Sequence, residues 1–201
     1  MRRDQANVLT IPNAVTVVRL SLLPLFLWLL LGRHERYVAG WTLAVMGMTD
    51  WIDGYLARRL NQVSTVGKIL DPVADRLLLL GGVTAILIDG SVPVWVAVVA
   101  LAREAVVATT VVVLAVLGAS RIDVSWWGKA GTLGLMFAFP LFLCGHSNAN
   151  WHRAGEDLAW LFALPGLACA LISAAGYLGP ARAALSDGRA ARRRAASRVA
   201  P

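Results

Sequence analysis

The chain has 201 residues, 58% of them hydrophobic, with a mean hydropathy of +0.64 and a formal charge of +7. Apolar stretches of roughly 20 residues, the length that crosses a bilayer, recur along it and leave no room for a soluble domain. The basic balance points to anionic lipid headgroups and argues against nucleic acid, because no aromatic-interleaved basic module accompanies it.

In chain order, the first element is a short interfacial segment running into a first span. Pro12 stands at a helix start, and Asn13, Thr16 and Arg19 recur at three-residue spacing, which makes one polar face. Two readings of that face are open: Arg19 snorkels towards phosphates from an interfacial helix, or Asn13 and Arg19 border a functional site. No cleavable signal peptide is expected, since no small-residue cleavage site follows a short apolar core. Six helices are expected near 11–32, 38–60, 72–90, 92–118, 127–146 and 157–180, punctuated by Gly32, Gly40, Gly90, Pro93, Gly118, Gly145, Gly179 and Pro180. The expected fold is all-α: a polytopic membrane bundle of about six transmembrane helices with a short N-terminal interfacial helix. Residues 1–181 form its membrane domain, and 182–201 form a disordered basic tail.

Positive charge orients the bundle. Arg2, Arg3, Arg58, Arg59, Lys68, Arg121, Lys129 and the tail arginines fall on one side of six spans, and Arg33, Arg36 and Arg153 on the other. Both termini are therefore expected on the cytoplasmic face of the cell inner membrane. The tail Arg189–Arg198 reads as a topology-fixing stop that touches lipid surface charge, and Cys144 and Cys169 read as packing residues rather than a disulfide or metal pair.

Against this background Asp50, Asp53, Asp71 and Asp75 stand out, since each ionised carboxylate near a bilayer costs on the order of several kcal/mol unless it is compensated. On helices, positions three or four apart share a face, so Asp50 projects with Asp53 and Asp71 with Asp75. The short segment from Asn61 to Lys68 makes the two helices antiparallel neighbours and brings both pairs to the cytoplasmic end. Asp71 followed by Pro72 reads as an N-cap with proline at the first helical position. Four converging carboxylates without His or Cys suit two divalent ions such as Mg2+, Mn2+ or Ca2+. Gly54 and Ala57 are small enough for a ligand to approach the backbone or for a second helix to pack, and Arg58 could meet a phosphate bidentately.

The full pattern, D-x2-D-G-x2-A-R-x8-G-x3-D-x3-D, resembles the signature of the CDP-alcohol phosphatidyltransferase family, with Asp50, Asp53, Gly54, Ala57, Arg58, Gly67, Asp71 and Asp75 at its defining positions. The resemblance implies transfer of a phosphatidyl group from CDP-diacylglycerol to an alcohol, release of CMP, and a homodimer. It implies that Asp50, Asp53, Asp71 and Asp75 hold two divalent cations, Mg2+ or Mn2+, and that Asp75 is also the catalytic base. Asp53, Gly54, Ala57, Arg58 and Gly67 would then frame the CDP moiety.

Acceptor contacts are expected among cations outside the motif, namely Arg103, Arg121 and Lys129, together with Asn13 and Arg19. The Arg103-Glu104 pair and the stretch Gly128-Lys129-Ala130-Gly131-Thr132 resemble the family's phosphatidylglycerophosphate and cardiolipin synthases, which use glycerol-based acceptors. Arg103-Glu104 could equally be a structural ion pair within an apolar helix. The phosphatidylglycerophosphate synthase pattern runs G-K-x-K-T-x-x-Q, and this chain carries Gly131 and Leu135 at its second Lys and its Gln. Glycerol 3-phosphate is the expected acceptor, with phosphatidylglycerol the alternative favoured by the missing cation and a phosphoinositol third. A divalent-cation transporter would also need intramembrane carboxylates, but near the midplane rather than beside a basic cytoplasmic loop.

Overall fold

The computed structural model describes residues 11–60, 67–116 and 126–199, with side chains described over 16–49, at 74, over 76–110, at 112 and over 126–176. Its elements are α1 (Ile11–Leu27) continuing into a π-helical turn (Trp28–Gly32), α2 (Arg36–Leu60), α3 (Gly67–Asp89), α4 (Val94–Val116), α5 (Trp126–Gly145) and α6 (His152–Val199). Among the described residues there is no strand. Trp126–Gly145 and His152–Gly176 are long and apolar enough to cross a membrane.

Two helices differ in their bounds from the sequence expectation, α3 at its start and α6 at both ends. Helix α3 begins at Gly67, so Asp71 is not its N-cap but its fifth residue, and Pro72 lies inside it. Ile69 and Leu70 continue the apolar pattern of α3, and Pro72, its sixth residue, costs the helix one i→i−4 hydrogen bond without ending it. Helix α6 runs through Gly179 and Pro180 to Val199, so residues 182–199, expected to be disordered, are helical. Ala and Arg dominate that stretch, and both are strong helix formers.

The chain forms two compact units: Met1–Ala97 with Met136–Ala163, and Val98–Leu135 with Leu164–Pro201. In the first, α1 packs on both α2 and α3. Phe26, Leu30, Ile86, Phe142 and Leu143 are fully buried there, each contributing roughly 1.5–3 kcal/mol of apolar transfer. Trp95 stacks on Trp160 at 5.8 Å, with Phe142 edge-on at 5.3 Å. Small residues set the closest approach: a Cβ on Gly40 of α2 would lie 2.9 Å from Cys144 Sγ and 3.0 Å from the Pro140 carbonyl oxygen of α5.

One guanidinium ties three helix ends together in this unit. Arg36 Nε donates to Asp89 Oδ2 at 2.9 Å, its Nη2 to the Asp89 carbonyl at 3.2 Å, and its Nη1 to the His146 carbonyl at 3.2 Å. The Asp89 side chain is 1% exposed and also accepts from Ser91 Oγ. A cation at the C-terminus of α3 is favoured by the helix dipole as well. Gly90, at φ +78°, ends that helix, its N–H turning back to the Ile86 carbonyl at 3.1 Å. Arg36→Met strands a buried carboxylate and is expected to cost about 2–4 kcal/mol. In detergent this should lower the thermal unfolding midpoint by several degrees, with Arg36→Lys losing less; an unchanged midpoint would refute the clamp.

Candidate functional site

Two contacts in the first unit fix the register of α2 against α3: Arg36 on Asp89, and Leu43 against Gly82, where a Cβ would sit 3.8 Å from Leu43 Cδ1. Leu43 is seven residues on from Arg36, and Gly82 is seven back from Asp89, as two antiparallel helices in constant register require. Another seven residues lead to Asp50 on α2 and to Asp75 on α3. Seven residues are nearly two full turns, so positions 50 and 75 fall at one level, on the helix faces that carry Leu43 and Gly82. Asp53 and Asp71 fall at the next level towards the 61–66 segment. Asp50 and Asp53 thus stand on α2, and Asp71 and Asp75 on α3.

The side chains of Asp50, Asp53, Asp71 and Asp75 lie outside the described residues, as do those of Ala57 and Arg58. Gly54, Ala57 and Arg58 occupy the last turns of α2, and Gly67 is the first residue of α3. Among the described side chains no group of three His, Cys, Asp or Glu could hold a metal. The motif's donor set fits one by its chemistry: four hard oxygen donors, two on α2 and two on α3, suit divalent cations.

Helix α1 packs on α3. Leu23 packs against Gly81, with 3.5 Å to a Cβ built there, and α1 and α3 run parallel in chain direction. At that register Asn13 is level with Asp71, Thr16 with Ala74 and Arg19 with Leu77. Thr16 and Arg19 are 2% and 4% exposed, and Ala74 is fully buried. A guanidinium buried at this level is not snorkelling from an exposed surface. The Asn13 side chain lies outside the described residues.

The remaining expected acceptor contacts divide. Arg103 on α4 is bound to Glu104, with Nη1 2.8 Å from Oε2 and both side chains largely buried. Lys129, in the first turn of α5, is exposed. Both belong to the second unit, and Arg121 lies outside the described residues.

Position 131 has a role that the sequence did not reveal. A Cβ on Gly131 would lie 2.7 Å from the Ala170 nitrogen and 2.9 Å from both Ala170 Cα and the Gly166 carbonyl oxygen. From the other side, a Cβ on Gly166 would meet the Leu135 nitrogen at 3.1 Å and Gly134 at 3.2 Å. Backbone rests on backbone where α5 crosses α6, and a lysine at 131 has no room without parting the helices. The glycines at 128, 131 and 134 were the available signal. Gly131→Leu is expected to destabilise the protein by about 2–3 kcal/mol or more, seen as a lowered unfolding midpoint, with Gly131→Ala smaller but of the same sign. A neutral Gly131→Leu would contradict the close crossing.

A family model described as CDP-alcohol phosphatidyltransferase matches residues 9–175. A Streptomyces coelicolor protein named cardiolipin synthase (CMP-forming) is 41% identical over 163 residues, covering 78% of this chain and 75% of that protein. Two relatives bear the name CDP-diacylglycerol–glycerol-3-phosphate 3-phosphatidyltransferase. The one from Bacillus subtilis is 35% identical over 147 residues, covering 66% of this chain and 76% of its own. The one from Haemophilus influenzae is 33% identical over 144 residues, covering 69% and 77%.

Proposed function

The chain belongs to the CDP-alcohol phosphatidyltransferase family and is an enzyme that moves a phosphatidyl group from CDP-diacylglycerol to an alcohol, and we propose that this alcohol is phosphatidylglycerol, giving cardiolipin and CMP. The observation that carries the acceptor is Gly131. Its Cβ direction is filled by the α6 backbone, which leaves Lys129 as the cation of the G-K-x-G-T stretch. Without a second lysine in that stretch, a singly charged phosphodiester acceptor is matched better than a doubly charged phosphomonoester. The name of the Streptomyces coelicolor relative supports the same acceptor. Glycerol 3-phosphate is the second reading, favoured by the names of the Bacillus subtilis and Haemophilus influenzae relatives.

The chemistry assigned to the motif follows from its donor set. Asp50, Asp53, Asp71 and Asp75 would hold two divalent cations, Mg2+ or Mn2+, which supply charge neutralisation at the diphosphate of the donor. Gly54 and Ala57 let the CDP moiety approach α2, Gly67 opens α3 beside it, and Arg58 meets a phosphate bidentately. Asp53 borders the same moiety. Asp75 accepts the proton of the acceptor hydroxyl as its oxygen bonds to the diacylglycerol-side phosphorus. The anhydride P–O bond breaks, and CMP leaves with the electron pair. Arg19 and Asn13 flank this zone from α1, and Arg103, Arg121 and Lys129 serve the acceptor.

The setting is a bundle of about six transmembrane helices in the cell inner membrane, with residues 1–181 as the membrane domain. Both termini and the aspartates face the cytoplasm, where the Lys and Arg excess lies. Residues 182–201 form a basic extension that meets anionic lipid, and the family resemblance supports a homodimer.

The acceptor is tested by incubating purified protein with CDP-diacylglycerol, Mg2+ or Mn2+, and phosphatidylglycerol, glycerol 3-phosphate or inositol phosphate in parallel, then identifying the lipid formed. Cardiolipin from phosphatidylglycerol is expected. Phosphatidylglycerophosphate as the main product would overturn this acceptor in favour of the second reading.

A further inference from the structure

We propose that the end of the first unit away from the aspartates carries a second, non-catalytic site for the hydroxyl-rich headgroup of a membrane lipid. A cavity of about 450 Å3 opens there between His34–Tyr37, at the start of α2, and His146–Trp151, which joins α5 to α6. Asp50 lies 14 residues further along α2 than Arg36, about 21 Å at 1.5 Å per residue, so this cavity is separate from the motif.

The walls are already fixed by their own bonds. The Arg36 guanidinium is engaged by Asp89 and by the His146 carbonyl. Ser147 Oγ donates to the Cys144 carbonyl at 2.6 Å and accepts from the Ala149 N–H at 3.2 Å. His146 Nδ1 lies 3.0 Å from the Phe142 carbonyl, so that nitrogen carries the proton and Nε2 is left as an acceptor. The cavity is thus lined by the Glu35 carboxylate, the His146 imidazole and the Asn148 and Asn150 amides, all on exposed residues, beside the rings of Tyr37 and Trp151.

That set selects a class of ligand. A carboxylate and an imidazole nitrogen accept hydrogen bonds, two amides both donate and accept, and aromatic rings pack against C–H groups. Vicinal hydroxyls satisfy all three. A bare phosphate does not, because the arginine of this wall is already paired and Glu35 repels it.

Two further observations point to a site here. His34 holds φ +55°, a left-handed conformation costly for a residue with a Cβ, two residues after the π-helical turn Trp28–Gly32. Around the cavity, Tyr37 meets Trp41 and Trp151 edge-on at 6.4 Å each, and Arg33 lies 5.3 Å over the Trp28 ring. Aromatic and Arg side chains gathered at helix ends are the anchors of a membrane–water interface, where lipid headgroups lie. The inference rests on the membrane setting proposed above but not on the acceptor.

Hydroxyl-rich headgroups come from two sources, a glycerol-headed phospholipid or a glycolipid, and the test separates them. Full-length protein is purified in detergent without CDP-diacylglycerol or divalent cation. Its unfolding midpoint is then measured with added phosphatidylglycerol, with a diglucosyl diacylglycerol, and with phosphatidic acid, whose headgroup carries no glycerol or sugar. A midpoint raised by several degrees with at least one hydroxyl-rich lipid, and not with phosphatidic acid, is expected. Glu35→Gln with Asn150→Ala should lose at least half of that shift while keeping CMP release, and Asp75→Asn should keep the shift. Should the double variant fail to fold, Asn150→Ala alone, at an exposed position, serves the same comparison. Equal shifts with all three lipids, no shift with any, or an undiminished shift in the cavity variants would overturn the site. A headgroup-specific shift in a protein that releases no CMP would leave this site standing and remove the proposed reaction instead.

Discussion

Asp75→Asn is expected to lower CMP release from CDP-diacylglycerol by about 10²- to 10⁴-fold, the range that a positioned general base supplies. Asparagine keeps the size of the side chain and one oxygen but cannot take the acceptor's proton. Register places position 75 level with Asp50, on the face of α3 that carries Gly82, so the substitution falls in the zone where both helices present acids. Binding of CDP-diacylglycerol should change only a few-fold, since Asp50, Asp53 and Asp71 remain. Turnover near the parent rate would remove Asp75 from the role of base. Lost binding with lost turnover would make it a metal ligand first.

Arg19→Met should reduce turnover by about 30-fold or more, the equivalent of roughly 2 kcal/mol at a charged hydrogen-bonding site. Arg19 is 4% exposed on α1, and the Leu23–Gly81 contact sets it near the level of Asp75. Methionine preserves much of the apolar stem and deletes the charge. If Arg19 serves a substrate phosphate, the KM rises while the unfolding midpoint of the substrate-free protein moves little, and Arg19→Lys recovers part of the loss. A fall in midpoint with an unchanged KM would assign Arg19 to folding alone.

Much of the helical framework was legible in the sequence. Hydrophobic periodicity and Gly or Pro punctuation located α2, α4 and α5 to within a few residues, and the D-x2-D…D-x3-D spacing gave the acid pairs on two helices. The start of α3 is not legible locally because Asp71-Pro72 has the chemistry of a cap, whereas Ile69 and Leu70 extend the apolar pattern by another turn. The length of α6 is hidden for the opposite reason: Gly179-Pro180 looks like a stop, yet the Ala/Arg run beyond it favours helix.

Tertiary facts had weaker signals. Arg36 appeared only as an external cation, and nothing local to it says that Asp89, 53 residues on, accepts from it. The π-helical turn and the left-handed His34 leave no mark in composition. Gly131 was visible as a departure from a pattern, but whether it deletes a cation from a pocket or seats one helix on another depends on Ala170 and Gly166, which only the fold brings near.

Whether the four aspartates on α2 and α3 consume CDP-diacylglycerol with divalent cations is decided by CMP release from the purified protein in detergent, with phosphatidylglycerol present, before and after chelation and again after Mg2+ or Mn2+ is restored. CMP that appears with metal, vanishes with chelator and returns on replenishment is the predicted result. CMP release indifferent to chelation, or ion flux through reconstituted protein without consumption of CDP-diacylglycerol, would contradict it.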